Sequence, residues 1–345
     1  MQPSACSHTL NFTNTSSVSS GNIVSNNWDL GDGNTGTTPN ASHTYANTGS
    51  YNVQLICITN MGCSDTALVP ITVSPLPNAS FSSNTVCLNT TTSFTNTSSV
   101  SSGSIVTTNW SFGNGNQSAL FHPTQQYLSS GTYSVTLTVI TNNNCVSSLT
   151  QPVTVNALPN VSFSAAGVCD GLPINYLNTS SINGGSISNY IWDFDSDGTP
   201  DNTALNPSHT FPSPGTYTTQ LMVITTSNCS ATYALPVNVY AKPVMQFLAN
   251  AVCQGAATSF TSQCGVSNGQ VTGYTWNFGD ATSGNLANPQ HMYATYGTYN
   301  VVLTATSNHN CSNTMQQAVV VHPKPVVNFS SSIACLNQTT QFNNQ

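Results

Sequence analysis

The stretch Trp192-Asp193-Phe194-Asp195-Ser196-Asp197-Gly198 decides how the chain is read, because three altered copies of it recur. They are Trp28-Asp29-Leu30-Gly31-Asp32-Gly33, Trp110-Ser111-Phe112-Gly113-Asn114-Gly115 and Trp276-Asn277-Phe278-Gly279-Asp280-Ala281. The four tryptophans of the chain stand at 28, 110, 192 and 276, in steps of 82, 82 and 84 residues. Self-similarity at a fixed period sets an architecture before any local signal does. Length alone would give two domains for 345 residues, whereas the period gives four units and fragments at the ends.

Outward from each tryptophan the copies keep step. Upstream lie an aromatic strand centred on Phe12, Phe94, Tyr176 or Phe260 and a lead-in at Ile23-Val24, Ile105-Val106, Ile187-Ser188 or Val271-Thr272. Downstream come His43-Thr44-Tyr45, a counterpart ending at Tyr127, His209-Thr210-Phe211 and His291-Met292-Tyr293. A Gly-x-Tyr follows, ending at Tyr51, Tyr133, Tyr217 or Tyr299, and alternation runs on from it, as in Tyr133, Val135, Leu137 and Val139 against Ser134, Thr136 and Thr138. Period two with β-branched and aromatic residues marks a half-buried strand. No segment has helical spacing, and Glu and Arg, two strong helix formers, are absent. The expected fold is all-β, with antiparallel sandwiches whose cores hold Trp28, Trp110, Trp192 and Trp276 and whose Gly-x-Tyr segments form tyrosine-corner-like turns.

Composition removes several functions. Charged residues make up 3% of the chain, against about 25% in an ordinary globular protein. All nine acids are Asp, the two bases are Lys242 and Lys324, each followed by proline, and the net charge is −7. Without arginine no phosphate-binding patch can be assembled, so nucleic acid is not a partner. An anionic membrane surface attracts clusters of basic residues, and none exists here. No run of eighteen apolar residues is present, so no membrane insertion is expected. The segment from Met1 to Cys6 has neither a basic nor an apolar signal-peptide region, which puts any export signal outside this sequence.

Taken together, the motifs resemble those of the PKD domain, which combines Trp-Asp-Phe-Gly-Asp-Gly, Asn-Pro-x-His-x-Tyr and Pro-Gly-x-Tyr. The third copy carries them at Trp192-Asp193-Phe194, Asn206-Pro207-Ser208-His209-Thr210-Phe211 and Pro214-Gly215-Thr216-Tyr217. The second departs furthest, with Ser111, Asn114 and Gln125 at the Asp, Asp and His positions. The resemblance implies a tandem array of Ig-like (PKD-type) seven-stranded β-sandwiches: 1–76 with an incomplete first strand, 77–158, 159–242, 243–324, and 325–345 opening a fifth. The arrangement is similar to tandem PKD arrays in secreted and cell-surface proteins of Bacteroidetes-type bacteria. Each boundary ends in a proline, at Pro77, Pro159, Pro243 and Pro325, which fixes φ and stiffens the joint. Residues 1–5 align with 82–86, so the expectation is a section of a longer chain; completion of one molecule's first copy by another's tail strand is the alternative.

Eleven cysteines fall mostly in two series, Cys6, Cys87, Cys169, Cys253 and Cys335, and Cys63, Cys145, Cys229 and Cys311. Such regularity in an exported repeat reads as disulfides, not as metal ligation or redox catalysis. In an Ig-like sandwich the first series follows the first strand, in an opening turn at one pole. The second occupies the final hairpin at the other pole. A strand of ten residues is about 33 Å long, and a disulfide needs Cα atoms within about 7 Å. Pairing within one sandwich, such as Cys87–Cys145, is therefore disfavoured, although strand ends read from sequence leave it open. The opening turn of one sandwich faces the final hairpin of the next, giving Cys6–Cys145, Cys87–Cys229 and Cys169–Cys311, with Cys63, Cys253 and Cys335 paired beyond the segment. Cys57 replaces Val139 and Val223 at an inward position and is expected to be a buried free thiol. Cys264 replaces Ser98 and Ser180 and receives no role.

Asp193, Asp195, Asp197 and Asp201 place hard oxygens at alternate positions beside Gly198, a pattern that resembles half of a calcium loop without its bidentate Glu. Calcium is the one cofactor this pattern offers, and a hydrated turn of self-capping Asp residues is the competing reading. His43, His209 and His291 share one position and read as structural, near the Trp loop. No nucleophile elbow or ordered triad appears, so the chain is not read as an enzyme. The expected function is a structural or adhesive section of a long extracellular fibre or surface adhesin, a stiff disulfide-stapled stalk whose partners are other repeats of the same chain or fibre. The alternative is an accessory module of a secreted hydrolase that binds polysaccharide or protein.

Overall fold

The computed structural model describes residues 4–267 and 269–344. The chain divides into two compact units: Met1–Leu158 with Ile182–Ser186 and Thr226–Cys229, and Pro159–Ser181 with Ile187–Thr225 and Ser230–Gln345. No helix long and apolar enough to cross a membrane occurs among the described residues.

In the first unit the second sandwich is the most regular. One sheet orders Thr124–Gln126, Thr91–Asn96 and Phe81–Ser83; the other orders Gln117–Ser118, Ile105–Ser111, Gly131–Thr141, Val146–Asn156 and Val86–Cys87. Phe81–Ser83 and Val86–Cys87 are halves of one strand that crosses between sheets, its second half running parallel to Val146–Asn156. Counted so, the sandwich has seven strands. The inward residues of the long strands, Val135, Leu137 and Val139, meet Phe81, Phe94, Trp110 and Tyr127 in one core. Their outward partners are hydroxyls paired across strands, Thr136 with Thr150 at 2.8 Å and Thr138 with Ser148 at 2.9 Å. Cross-strand hydroxyl pairs take the place that ion pairs hold on an ordinary sheet.

The first sandwich keeps the large sheet, in which Ser4–Ala5 runs parallel to Ser64–Val73, but its small sheet has two strands, Thr9–Phe12 and Ala41–Thr44, among the described residues. Of the segment aligned with 82–86, residues 1–3 lie outside the described residues. Cys57 is half-buried and not buried: its sulfur lies 3.3 Å from the Ser16 hydroxyl and 3.5 Å from Asn26 Oδ1. Strand alternation points the side chain inward, where it meets the polar groups of Ser16 and Asn26 and not an apolar cover.

The second unit holds most of the third sandwich, the fourth sandwich and the hairpin Phe329–Ser331 with Phe342–Asn344. The fourth repeats the second strand for strand. In the third the short strand after the Trp loop shrinks to a single bridge, Trp192 with Asn202.

Each Gly-x-Tyr closes a tyrosine corner. The hydroxyls of Tyr51, Tyr133, Tyr217 and Tyr299 donate to the carbonyls of Asn47, Ser129, Ser213 and Thr295 at 2.7–2.9 Å. Their rings lie 3.9–4.2 Å from those of Tyr45, Tyr127, Phe211 and Tyr293. In three sandwiches that second tyrosine donates to the residue two after the tryptophan: Tyr45 to Leu30, Tyr127 to Phe112 and Tyr293 to Phe278, at 2.9–3.1 Å. Burial pushes the phenols of Tyr45 and Tyr127 up to about 12, so they stay neutral donors.

Phe211 has no hydroxyl to give. In the third sandwich the fully buried Thr219, where the others have Val53, Val135 and Val301, donates to the Phe194 carbonyl at 3.0 Å and meets the Tyr176 hydroxyl at 2.9 Å. Two substitutions, Thr219 and Tyr176, thus make up for the hydrogen bond that Phe211 cannot form. Thr219→Val should destabilise the third sandwich by about 1–3 kcal/mol, the cost of stranding a buried polar group. Adding Phe211→Tyr to Thr219→Val should recover part of that loss in urea unfolding.

Candidate functional site

The Trp loops are built for turning the chain. Each buried indole Nε1 donates across the loop, from Trp28 to Thr38, Trp110 to Leu120, Trp192 to Ala204 and Trp276 to Leu286, at 2.9–3.0 Å. Gly31, Gly113 and Gly279 have φ between 75° and 84°, and a Cβ there would stand 2.7–2.8 Å from the carbonyl of Asn52, Ser134 or Asn300. Glycine is required on both counts. The third loop solves the same problem with Ser196 at φ 58°, whose hydroxyl donates to the Thr218 carbonyl at 2.7 Å.

The acidic residues of these loops accept backbone N–H groups. Asp29 accepts from Gly31, Asp32 from Asn34, and Asp280 from Thr282, at 3.0–3.1 Å; Asn114 does the same for Asn116 in the second copy. An Asx turn needs the side-chain oxygen and not its charge, which is why Asn serves. The third loop gathers more. Asp193 accepts from Asp197 and Gly198, Asp195 from Asp197, and Asp197 from Thr199. Carboxylate oxygens of Asp193, Asp195 and Asp197 lie within 4.8 Å of one another. Asp201 is not one of that trio; it caps the Phe194 N–H at 2.7 Å from the returning arm of the loop.

The histidines sit beside these turns. His43 Nε2 lies 2.7 Å from Asp32 Oδ2, and His291 Nε2 lies 2.7 Å from Asp280 Oδ2. His209 has no carboxylate at that place and stacks on Phe194 at 4.4 Å. The hydrogen bond from His43 holds the Asp32 carboxyl below its usual range. At Asp280 burial opposes ionisation, but hydrogen bonds from Thr282 and His291 outweigh it and keep the carboxyl below 3.8. A carboxyl lowered by folding stabilises above its unfolded value, and that stability is lost as pH falls through the folded value. The thermal midpoint of the fourth sandwich should therefore drop as pH falls below about 3.8, and Asp280→Asn should flatten that drop in scans from pH 5 to pH 2.5.

Three disulfides are present: Cys6–Cys145, Cys87–Cys229 and Cys169–Cys311, with Cα atoms 5.2, 5.6 and 5.5 Å apart. Each joins the opening turn of one sandwich to the final hairpin of the following one. In the final hairpins Asn144, Asn228 and Asn310 take φ near 60° and deliver the next residue, a fully buried cysteine, to the bond. Cys63, Cys253 and Cys335 are free and exposed, and Cys57 and Cys264 are free and half-buried. The place of Cys264, obscure from sequence, becomes plain: its thiol meets the Gln246 carbonyl as the hydroxyls of Ser98 and Ser180 meet those of Ser80 and Ser162.

A sequence profile described as the PKD domain matches residues 2–73, 72–157, 156–239 and 240–322. The pre-pro-metalloprotease PrtV of Vibrio cholerae is 37% identical over 143 residues, 41% of this chain and 15% of that protein. Collagenase ColA of Bacillus cereus is 43% identical over 58 residues, 17% of this chain and 6% of that protein. The chain thus spans a small part of the length of these relatives. Among solved structures, the PKD1 domain of the V. cholerae metalloprotease PrtV aligns with a TM-score of 0.22 and 30% identity, over 24% of this chain and 98% of that one. The PKD1 domain of Vibrio anguillarum Epp aligns with a TM-score of 0.23 and 25% identity, over 25% and 99%. With four successive matches running almost from end to end, the chain belongs to the PKD domain family.

Proposed function

We propose that this chain is a structural section of an extracellular fibre or cell-surface adhesin, a stiff, non-catalytic stalk of PKD sandwiches. The observation that carries this reading is the offset of the disulfides, which join neighbouring sandwiches and not the strands of one. A cross-link so placed restrains the joint. Within the second unit the joint between the third and fourth sandwiches has further restraints: Tyr240 stacks on His309 at 3.8 Å, and Asn313 donates to the Pro243 carbonyl at 2.9 Å. Disulfides persist in oxidising surroundings, which supports a place outside the cell. Negative-stain microscopy should show rods of uniform stiffness that become jointed on reduction; jointed particles before reduction would reject the stalk.

The relatives favour a second reading, since PrtV is named a metalloprotease and ColA a collagenase. On that reading the sandwiches are an accessory module of a secreted hydrolase and engage protein or polysaccharide. Four near-equivalent copies favour the stalk over a binding module with one specialised face. The stalk should pass through chitin, cellulose and collagen columns without delay, and retention on any of them would favour the module.

The trio Asp193, Asp195 and Asp197 is proposed as a calcium clip in the third loop. Its hard oxygens suit that ion, and each carboxylate keeps lone pairs beyond its turn bond, although three residues fall short of the six to eight oxygens calcium takes. Calcium at ten times its dissociation constant should stabilise this sandwich by about 1.4 kcal/mol. An unchanged thermal midpoint, or the same gain in Asp195→Asn, would remove the clip.

A further inference from the structure

We infer that His122 is an acid-releasable latch in the second sandwich: its neutral ring holds the return arm of the Trp loop to the strand Thr91–Asn96, and protonation lets that end of the arm go. The inference is independent of the stalk reading.

The latch is one version of a bond made four times. Two residues beyond the carbonyl that receives each indole, a side chain of the returning arm accepts a backbone N–H from the small sheet. Asn40 Oδ1 accepts from Asn14, Asn206 Oδ1 from Asn178 and Asn288 Oδ1 from Ser262, each at 2.9 Å. In the second sandwich the position is His122, whose Nδ1 accepts from Asn96 at 3.2 Å. The proline that follows is placed alike: Pro123 accepts from Phe94, Pro207 from Tyr176 and Pro289 from Phe260, all at 3.0 Å. The arm therefore runs the same way in these copies, and only the chemistry of the acceptor differs.

An amide oxygen accepts at any pH, whereas an imidazole nitrogen accepts only while it keeps its lone pair. A backbone N–H can only donate, so Nδ1 of His122 is bare and the ring proton sits on Nε2. Protonation sets a second donor against the Asn96 N–H, and the bond is lost. His122 is exposed, so a proton reaches it without unfolding, whereas Asn96 is 5% exposed. The release is local. Trp110 Nε1 and the Thr108 hydroxyl still hold the Leu120 carbonyl, at 3.0 and 3.3 Å, and keep the indole in place.

The second sandwich holds no competing group. From residue 66 to residue 169 the sequence has no Asp, Glu, Lys or Arg, and His122 is its one histidine. The strands around the latch, Phe81–Ser83, Thr91–Asn96, Ile105–Ser111 and Thr124–Gln126, therefore face it without charge. Cys87 and Cys145 are in disulfides, which leaves Tyr127 and Tyr133, and phenols titrate near pH 10. The acids and other histidines of the same compact unit belong to the first sandwich and have partners there: His8 the Tyr45 carbonyl, His43 Asp32, Asp29 the Gly31 N–H, and Asp65 the Thr66 N–H. Imidazole exchanges its proton between about pH 5 and pH 8, well above the range of carboxyls. The sandwich without a single carboxylate is thus the one that answers to mild acid.

Amide hydrogen exchange in the 345-residue chain, corrected for the intrinsic rate at each pH, tests the latch. From pH 8 to pH 5 the protection of the Asn96 amide should fall by about fivefold or more, the worth of one ordinary hydrogen bond, while Asn178 and Ser262 keep theirs. His122→Asn installs the residue that the other copies use, and should hold Asn96 at its pH 8 protection throughout. At pH 8 nitrogen NMR should show His122 as the Nε2–H tautomer. Equal protection of Asn96 at both pH values overturns the inference, as does a fall that persists in His122→Asn or an Nδ1–H tautomer at pH 8.

Discussion

Each sandwich depends on a buried indole whose one polar atom reaches across a loop. Burying about 200 Å² of tryptophan at about 25 cal/mol per Å² favours folding by about 5 kcal/mol. That gain requires a partner for Nε1, because a stranded donor costs about 1–3 kcal/mol. The carbonyls of Thr38, Leu120, Ala204 and Leu286 supply it, and in doing so they fold the loop back over the ring. Much else in the repeat supports that closure. The glycine or Ser196 lets the chain turn, the Asp or Asn side chains cap it, and a tyrosine, or Thr219 together with Tyr176, ties it to the opposite sheet.

The same logic governs the surface. A chain with 3% charged residues has little use for ion pairs, and its exposed strand faces are held by hydroxyls such as Thr136 with Thr150 and Thr304 with Thr314. Neutral pairs are indifferent to salt and to most changes of pH. Among the described residues the His–carboxylate contacts fall in the Trp loops, at Asp32 and Asp280.

The architecture was legible because its signals are periodic. Tryptophan spacing gives the number of sandwiches, and the alternation after Tyr133 or Tyr299 gives strands buried on one face. Alternation reports direction and not cover, which is why it predicts burial for Cys57 although the side chain meets Asn14, Asn26 and Ser16. Compensation was also illegible. Phe211 looks like a conservative aromatic, and only the fold brings Thr219 to the carbonyl that a tyrosine would have served. The acidic loop was readable as a cluster, but the place of Asp201 depends on how the returning arm crosses the loop, which spacing does not encode.

The staggered disulfides have a mechanical consequence. The spans 6–145, 87–229 and 169–311 overlap, so every peptide bond from Cys6 to Cys311 lies inside at least one closed covalent loop. A single cut anywhere in that range leaves the molecule in one piece. Under tension the load passes from Cys6 directly to Cys145 and from Cys169 directly to Cys311, so most of the strands lie off the line of force. Pulling then loads the backbone from 145 to 169 between these two bonds, and the length folded inside 6–145 and 169–311 cannot be paid out. A repeat fastened this way behaves as a chain of locked links instead of a spring.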